Sequence, residues 1–150
     1  MATIDKTGCG PLLGTIPLQG ITKVYVMDRI IDLTGAVQGD DATVYQCLPI
    51  PADTLVMNVK VEIITPATGT TCTFGFGDGG STAGWDTAVD MKGTAGTITH
   101  SIIGTDARAV AASQGYFYDT ADSIDALIEA GTTQDGLGPK FKISALCVQY

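Results

Sequence analysis

Apolar and polar residues alternate along much of this chain. Over TLVMNVKVEIIT (54–65), Leu55, Met57, Val59, Val61 and Ile63 share one side, while Asn58, Lys60 and Glu62 share the other. A period of two with one apolar face predicts a half-buried β-strand. The same period groups Cys72, Phe74 and Phe76 in TTCTFGFG (70–77), and Phe141, Ile143, Ala145 and Cys147 in KFKISALCVQY (140–150). Further strands are predicted over 21–33, 43–50, 85–91, 96–103, 116–120 and 122–130. Within ITKVYVMDRIIDL (21–33), Val24, Val26 and Ile30 stand among polar positions and the phase slips near Asp28, which predicts a β-bulge. GTITHSII (96–103) places Ile98, His100 and Ile102 in phase. The one helix candidate is TDARAVAAS (105–113), with Thr105 or Asp106 as N-cap, and it is short enough to be a loop instead.

About eight strands, separated by glycine- and proline-rich turns, predict an all-β antiparallel sandwich or barrel. A parallel sheet needs crossover helices that this chain lacks. No short-period repeat is present, which argues against a solenoid or propeller.

Residues 1–20 break the pattern. Gly8, Gly10, Gly14, Gly20, Pro11 and Pro17 interrupt Leu12, Leu13, Ile16 and Leu18. Proline removes ladder hydrogen bonds and glycine loosens the chain, so the segment reads as an extended arm ahead of a single domain over 21–150. Burying its four large apolar side chains is worth roughly 6–10 kcal/mol. Ordering about twenty residues costs on the order of 20 kcal/mol. The arm is therefore expected to gain backbone hydrogen bonds as well, along the edge of a neighbouring subunit or of a larger assembly. The alternative is an arm folded onto its own sheet. Leu12, Leu13, Ile16 and Leu18 are its interface candidates, together with Trp85, which would either anchor an interface or cap one end of the core.

Composition fits this picture. Of 150 residues, 45% are hydrophobic and only 16% charged, which excludes a disordered chain. Nineteen glycines and 21 threonines favour turns and strands. No apolar run reaches the roughly 18 residues of a membrane span. The opening MATIDKTGCG does not read as a secretory leader. Net charge is −8 with a pI near 4.2, and the eight cations are scattered, so neither nucleic acid nor an anionic membrane is an expected partner.

Candidate chemistry is sparse. Gly75-x-Gly77-x-x-Gly80 matches the dinucleotide pattern formally, but a strand-like stretch follows it where a helix N-terminus would be required. Asp78, Asp86 and Asp90 flank that turn and Asp40 and Asp41 lie in another; solvated turn carboxylates are expected ahead of a calcium site. His100 is the sole histidine and reads as a core or subunit-contact residue. Cys9, Cys47, Cys72 and Cys147 form no C-x-x-C pair, so free thiols are expected and zinc is not. No G-x-S-x-G elbow is present. No cofactor, metal or catalytic residue is expected.

Three stretches carry a resemblance: VYQCLPIPADTLVMNVKVEIITPA (44–67), TFGFGDGGSTAGWDTAVD (73–90) and YFYDTADSIDALI (116–128). Together they resemble small jelly-roll proteins of tailed-bacteriophage head gene clusters, some of which are capsid decoration (cement) proteins. The resemblance implies a jelly-roll-like double sheet. It implies a structural protein, not an enzyme, made in the host cytoplasm and carried on the capsid surface of the virion. Its partners would be the major capsid protein and itself, a homotrimer ahead of a homodimer. A receptor- or glycan-binding module of a phage fibre is the alternative.

Overall fold

The computed structural model describes residues 23–35, 43–100, 115–129 and 136–149, with His100 described by its backbone alone. Among the described residues there are nine strands: β1 (Lys23–Asp32), β2 (Val44–Ile50), β3 (Thr54–Thr65), β4 (Thr73–Asp78), β5 (Ser81–Asp90), β6 (Ile98–His100), β7 (Tyr116–Tyr118), β8 (Asp122–Ile128) and β9 (Lys140–Gln149). They form two antiparallel sheets. One runs β1-β9-β3-β6 with β7 also paired to β3; the other runs β2-β8-β4-β5. β6 pairs with Lys60–Glu62 of β3 and β7 with Thr54–Val56, so the two short strands lie end to end along one edge of β3. They fill a single strand position, which reconciles nine strands with the expected eight.

Between the sheets lies the core. Phe74 and Phe76 of the four-stranded sheet meet Phe141 of the five-stranded sheet edge to face, with ring centroids 6.1 and 5.8 Å apart. Such contacts are favoured by the aromatic quadrupole. Ile143, Ala145 and Cys147 continue the inward face of β9, as the alternation predicts, and all are fully buried.

Two strand phases differ from expectation. β1 carries no bulge: ten successive residues pair with β9, from Lys23–Gln149 to Asp32–Lys140. Tyr25, Met27 and Ile31 pack against the core, while Val24, Val26 and Ile30 are exposed on the outside. The hydrophobic phase slips only because Arg29 occupies an inward position at the sheet edge, where its Nη1 donates to the Cys47 carbonyl of β2 at 3.4 Å. Register shifts occur in other strands instead, among them β3, where the pairing with β9 slips between Val56 and Asn58 and again between Ile63 and Thr65. Thr54, Val56, Val59, Val61 and Ile63 are consequently buried, and Leu55 and Met57, expected in the core, belong to the outer side. The sequence TLVMNVKV looks evenly alternating because Met57, the inserted residue, is itself apolar. The expected arm 1–20 and the helix candidate 105–113 lie outside the described residues.

Candidate interaction surface

The β4–β5 hairpin is organised by Asp78. Its Oδ1 accepts from the backbone N–H groups of Gly80 and Ser81 at 2.9 and 2.8 Å, closing an Asx-type turn. Its Oδ2 accepts from the Tyr118 hydroxyl at 2.8 Å, and the Tyr118 oxygen accepts from Trp85 Nε1 at 3.1 Å. All three side chains are buried. Asp78 is thus a structural acceptor inside the protein, not the solvated turn carboxylate that its position suggested. The glycine pattern around it serves the same hairpin. A Cβ on Gly77 would lie 2.0 Å from the Ser81 carbonyl oxygen, so only glycine permits the two strands to approach this closely. No helix follows; β5 begins at Ser81, within the stretch expected to be turn.

Trp85 is buried and hydrogen-bonded within the chain, sealing the core beside Tyr118. Leu12, Leu13, Ile16 and Leu18 lie outside the described residues, as do Asp40, Asp41, Cys9 and the His100 side chain. Asp90 accepts from the Lys92 backbone N–H at 2.9 Å. Among the described residues, no group of three His, Cys, Asp or Glu side chains could hold a metal ion.

Asp125, on β8, is a buried carboxylate that the sequence did not single out. Burial raises its pKa above the ordinary carboxyl value; the Ser123 hydroxyl, 2.6 Å away, pulls it back, and the negative charges of Asp122 and Asp78 push it further up. Cys47, Cys72 and Cys147 are free and buried. Burial pushes the Cys47 thiol up to about 12 and the Cys147 thiol to about 11, so neither is a nucleophile at neutral pH.

The outer face of the five-stranded sheet divides in two. At one end, Lys142 Nζ lies 2.8 Å from Asp28 Oδ2, Lys140 Nζ 3.1 Å from Asp32 Oδ2, and Lys60 Nζ 3.7 Å from Glu62 Oε2. Asp32 also accepts from the Thr34 hydroxyl and backbone N–H; these bonds, with Lys140, hold its carboxyl down at about 2. At the other end the face is apolar: Val24, Val26, Met57, Phe117 and Leu146 are exposed. Alternation alone does not reveal this surface, because the face each of its residues takes is set by strand register.

No protein-family model and no curated protein matches this sequence. Solved structures do share its fold. A chain in the capsid of Ralstonia phage GP4 is 17% identical with a TM-score of 0.61, over 85% of both chains. A chain in the acidic stable capsid of Helicobacter pylori bacteriophage KHP30 is 13% identical with a TM-score of 0.55, over 83% of this chain and 86% of that one. A chain in the capsid asymmetric unit of cyanophage Pam1 is 15% identical with a TM-score of 0.55, over 86% and 85%.

Proposed function

We propose that this protein is a structural component of a phage virion that decorates the outside of the capsid and stabilises it. One observation carries the reading: the fold match runs almost end to end, 85% of this chain and 85% of its counterpart in the Ralstonia phage GP4 capsid. The chain is thus alike in extent as well as in fold to a whole capsid-associated chain. The strand order, β1-β9-β3-β6 facing β2-β8-β4-β5, supports a jelly-roll-like reading of the sandwich, an architecture used in viral capsids. A net charge of −8 suits the outer surface of a shell better than its DNA-filled interior, where phosphate would repel it. In this reading the protein binds the major capsid protein and assembles with itself as a homo-oligomer at a symmetry axis, a trimer ahead of a dimer. Closed symmetry would also cover strand edges that a lone subunit leaves open.

The test is binding to empty capsids of the same phage. Purified protein mixed with capsids should co-sediment with saturating, near-lattice stoichiometry, label the outer surface in electron micrographs, and raise the temperature at which the shells rupture. Light scattering should give the mass of an oligomer, free or on the particle. Failure to bind capsids, a monomer in both settings, or a few copies per virion combined with binding to host cells or glycans would overturn the reading.

A further inference from the structure

An open sheet edge is a template for another chain, and folded proteins blunt it with short strands, prolines, bulges or charges. Among the described residues the sandwich has four edges, and three are blunted in this way. β2 carries Pro49 and a register shift between Gln46 and Leu48. β5 slips twice against β4 and holds Ala88 at a φ of 53°, outside the extended range. β6 and β7 have three residues each. β1 differs: its ten residues all pair with β9 without a shift, and none is proline. Its second half is guarded by charge, with Asp28 and Asp32 ion-paired on the outer side and Arg29 turned inward. Its first half is not. There Val24, Tyr25, Val26 and Met27 follow Lys23, and Val24 and Val26 are 64% and 63% exposed. Among the described residues, no strand pairs with the free side of β1.

The unguarded half is self-complementary. A two-fold axis normal to the sheet brings two β1 edges together antiparallel, with residues of the same face opposite one another. Like charges directly opposite destabilise such a pair, and β-branched pairs stabilise it. Axes at Asp28, Arg29 or Ile30 are therefore unfavourable, because they oppose Asp28 to itself, Arg29 to itself, or Asp28 to Asp32. Axes at Met27 or Val26 set Asp28 against Val26 or Val24. An axis at Tyr25 sets Val24 of each copy against Val26 of the other on the outer side, and Lys23 against Met27 on the inner side. We infer that a second copy of this chain pairs with β1 across a two-fold axis at Tyr25, residues 23–27 against residues 23–27. The pairing supplies about four to six backbone hydrogen bonds and makes the two five-stranded sheets one. The apolar ends of the two outer faces join across the axis. This rests on the homo-oligomer proposed above and gives it a surface. A two-fold contact makes a dimer, or ties together copies that belong to two trimers.

Cysteine pairing in the free, full-length protein tests this. In a Cys9→Ser background, Val24→Cys and Val26→Cys proteins are oxidised separately and as an equimolar mixture. Directly opposed Cα atoms lie about 4.5–5.5 Å apart, within disulfide range, whereas position 24 and its own copy lie roughly 8 Å apart, beyond it. The mixture should give a covalent dimer in several-fold higher yield than either protein alone, and than Ile30→Cys, which lies on the same side beyond the paired stretch. No dimer in the mixture, or equal yields throughout, would overturn the inference. As a second measurement, light scattering of the unmodified chain should give the mass of an even number of copies. Val26→Lys should lower the associated fraction several-fold with an unchanged circular dichroism spectrum, while Leu146→Lys, at the same apolar end but on β9, should leave it unchanged. A monomer, a lone trimer, no effect of Val26→Lys, or an equal effect of Leu146→Lys, which would mean that faces pack and edges do not pair, would each overturn it. Capsid binding is measured apart from both. A chain that saturates capsids but fails these tests loses the edge pairing alone, and one that passes them but ignores capsids loses the decoration role alone.

Discussion

Replacing Tyr118 with phenylalanine deletes one oxygen from the middle of a buried chain of hydrogen bonds. That oxygen receives the indole N–H of Trp85 and gives its proton to Asp78, at 3.1 and 2.8 Å. Trp85 and Asp78 are each 1% exposed, so water cannot replace the lost partner without opening the core. A stranded buried polar group costs about 1–3 kcal/mol, and the Trp85 indole N–H loses its acceptor, so Tyr118→Phe should lose about 1–3 kcal/mol although the ring volume is kept. The turn amides of Gly80 and Ser81 still hold Asp78 Oδ1, which keeps the fold intact and the comparison meaningful. Urea unfolding is followed by the fluorescence of Trp85, the only tryptophan, with far-ultraviolet circular dichroism in parallel because the substitution alters the indole environment. A cycle with Trp85→Phe should return a coupling energy of about 1 kcal/mol or more between the two sites, the range for residues in one hydrogen-bonded network. A loss below about 1 kcal/mol with an unchanged urea slope would refute the reasoning, since it would mean that this relay is not sealed from water.

Four further outcomes are expected. Gly77→Ala should destabilise by about 3 kcal/mol or more, the upper end for overpacking, because backbone atoms of Ser81 and Thr82 block the new methyl group; Gly35→Ala, with open space around it, is the control and should leave the urea midpoint nearly unchanged. Asp125 has a folded pKa above its ordinary 3.8, so its ionisation opposes folding as pH rises through the folded value. Asp125→Asn should therefore raise the urea midpoint at pH 7, with the gain vanishing below about pH 4. Asp32, held at about 2, acts in the opposite sense: Asp32→Asn should lose stability at pH 7, and the difference should fade as pH falls from the ordinary 3.8 through 2. Thiol titration should find Cys47, Cys72 and Cys147 silent in the native protein and reactive once denatured; native reactivity at any of the three would contradict their burial.

Much of the sandwich is legible in the sequence where a strand has one wet face. β9 reads correctly because Lys140, Lys142 and Ser144 oppose Phe141, Ile143 and Ala145 without interruption. β3 misleads at its start because an inserted apolar residue at Met57 imitates continued alternation, and a bulge declares itself only against its partner strand. Asp78 misleads for another reason. A carboxylate in a glycine-rich turn is usually solvated, and nothing local tells that Tyr118, forty residues on, closes over it. Of the candidate interface residues, Trp85 has its place inside the chain, while the surface that is uncovered belongs to residues whose facing depends on register.

β1 makes the last point sharply. Its odd positions Tyr25, Met27 and Ile31 pack on the core, and its even positions Val24 and Val26 are apolar too. A strand wet on one face alternates, and over its first half β1 is apolar in both phases while its outer side chains stay exposed. From Asp28 onward β1 returns to one-sided patterning, with Asp28 and Asp32 ion-paired to β9; Ile30 between them is the kind of single exposed residue that needs no explanation. β9 makes the same change at the same height, from Lys140, Lys142 and Ser144 to Leu146 and Val148. So does β3, read from its other end, with Lys60 and Glu62 giving way to Leu55 and Met57. In one strand this would be noise. Three strands that come from distant parts of the sequence switch together once they are placed in register, which joins their apolar ends into one continuous patch.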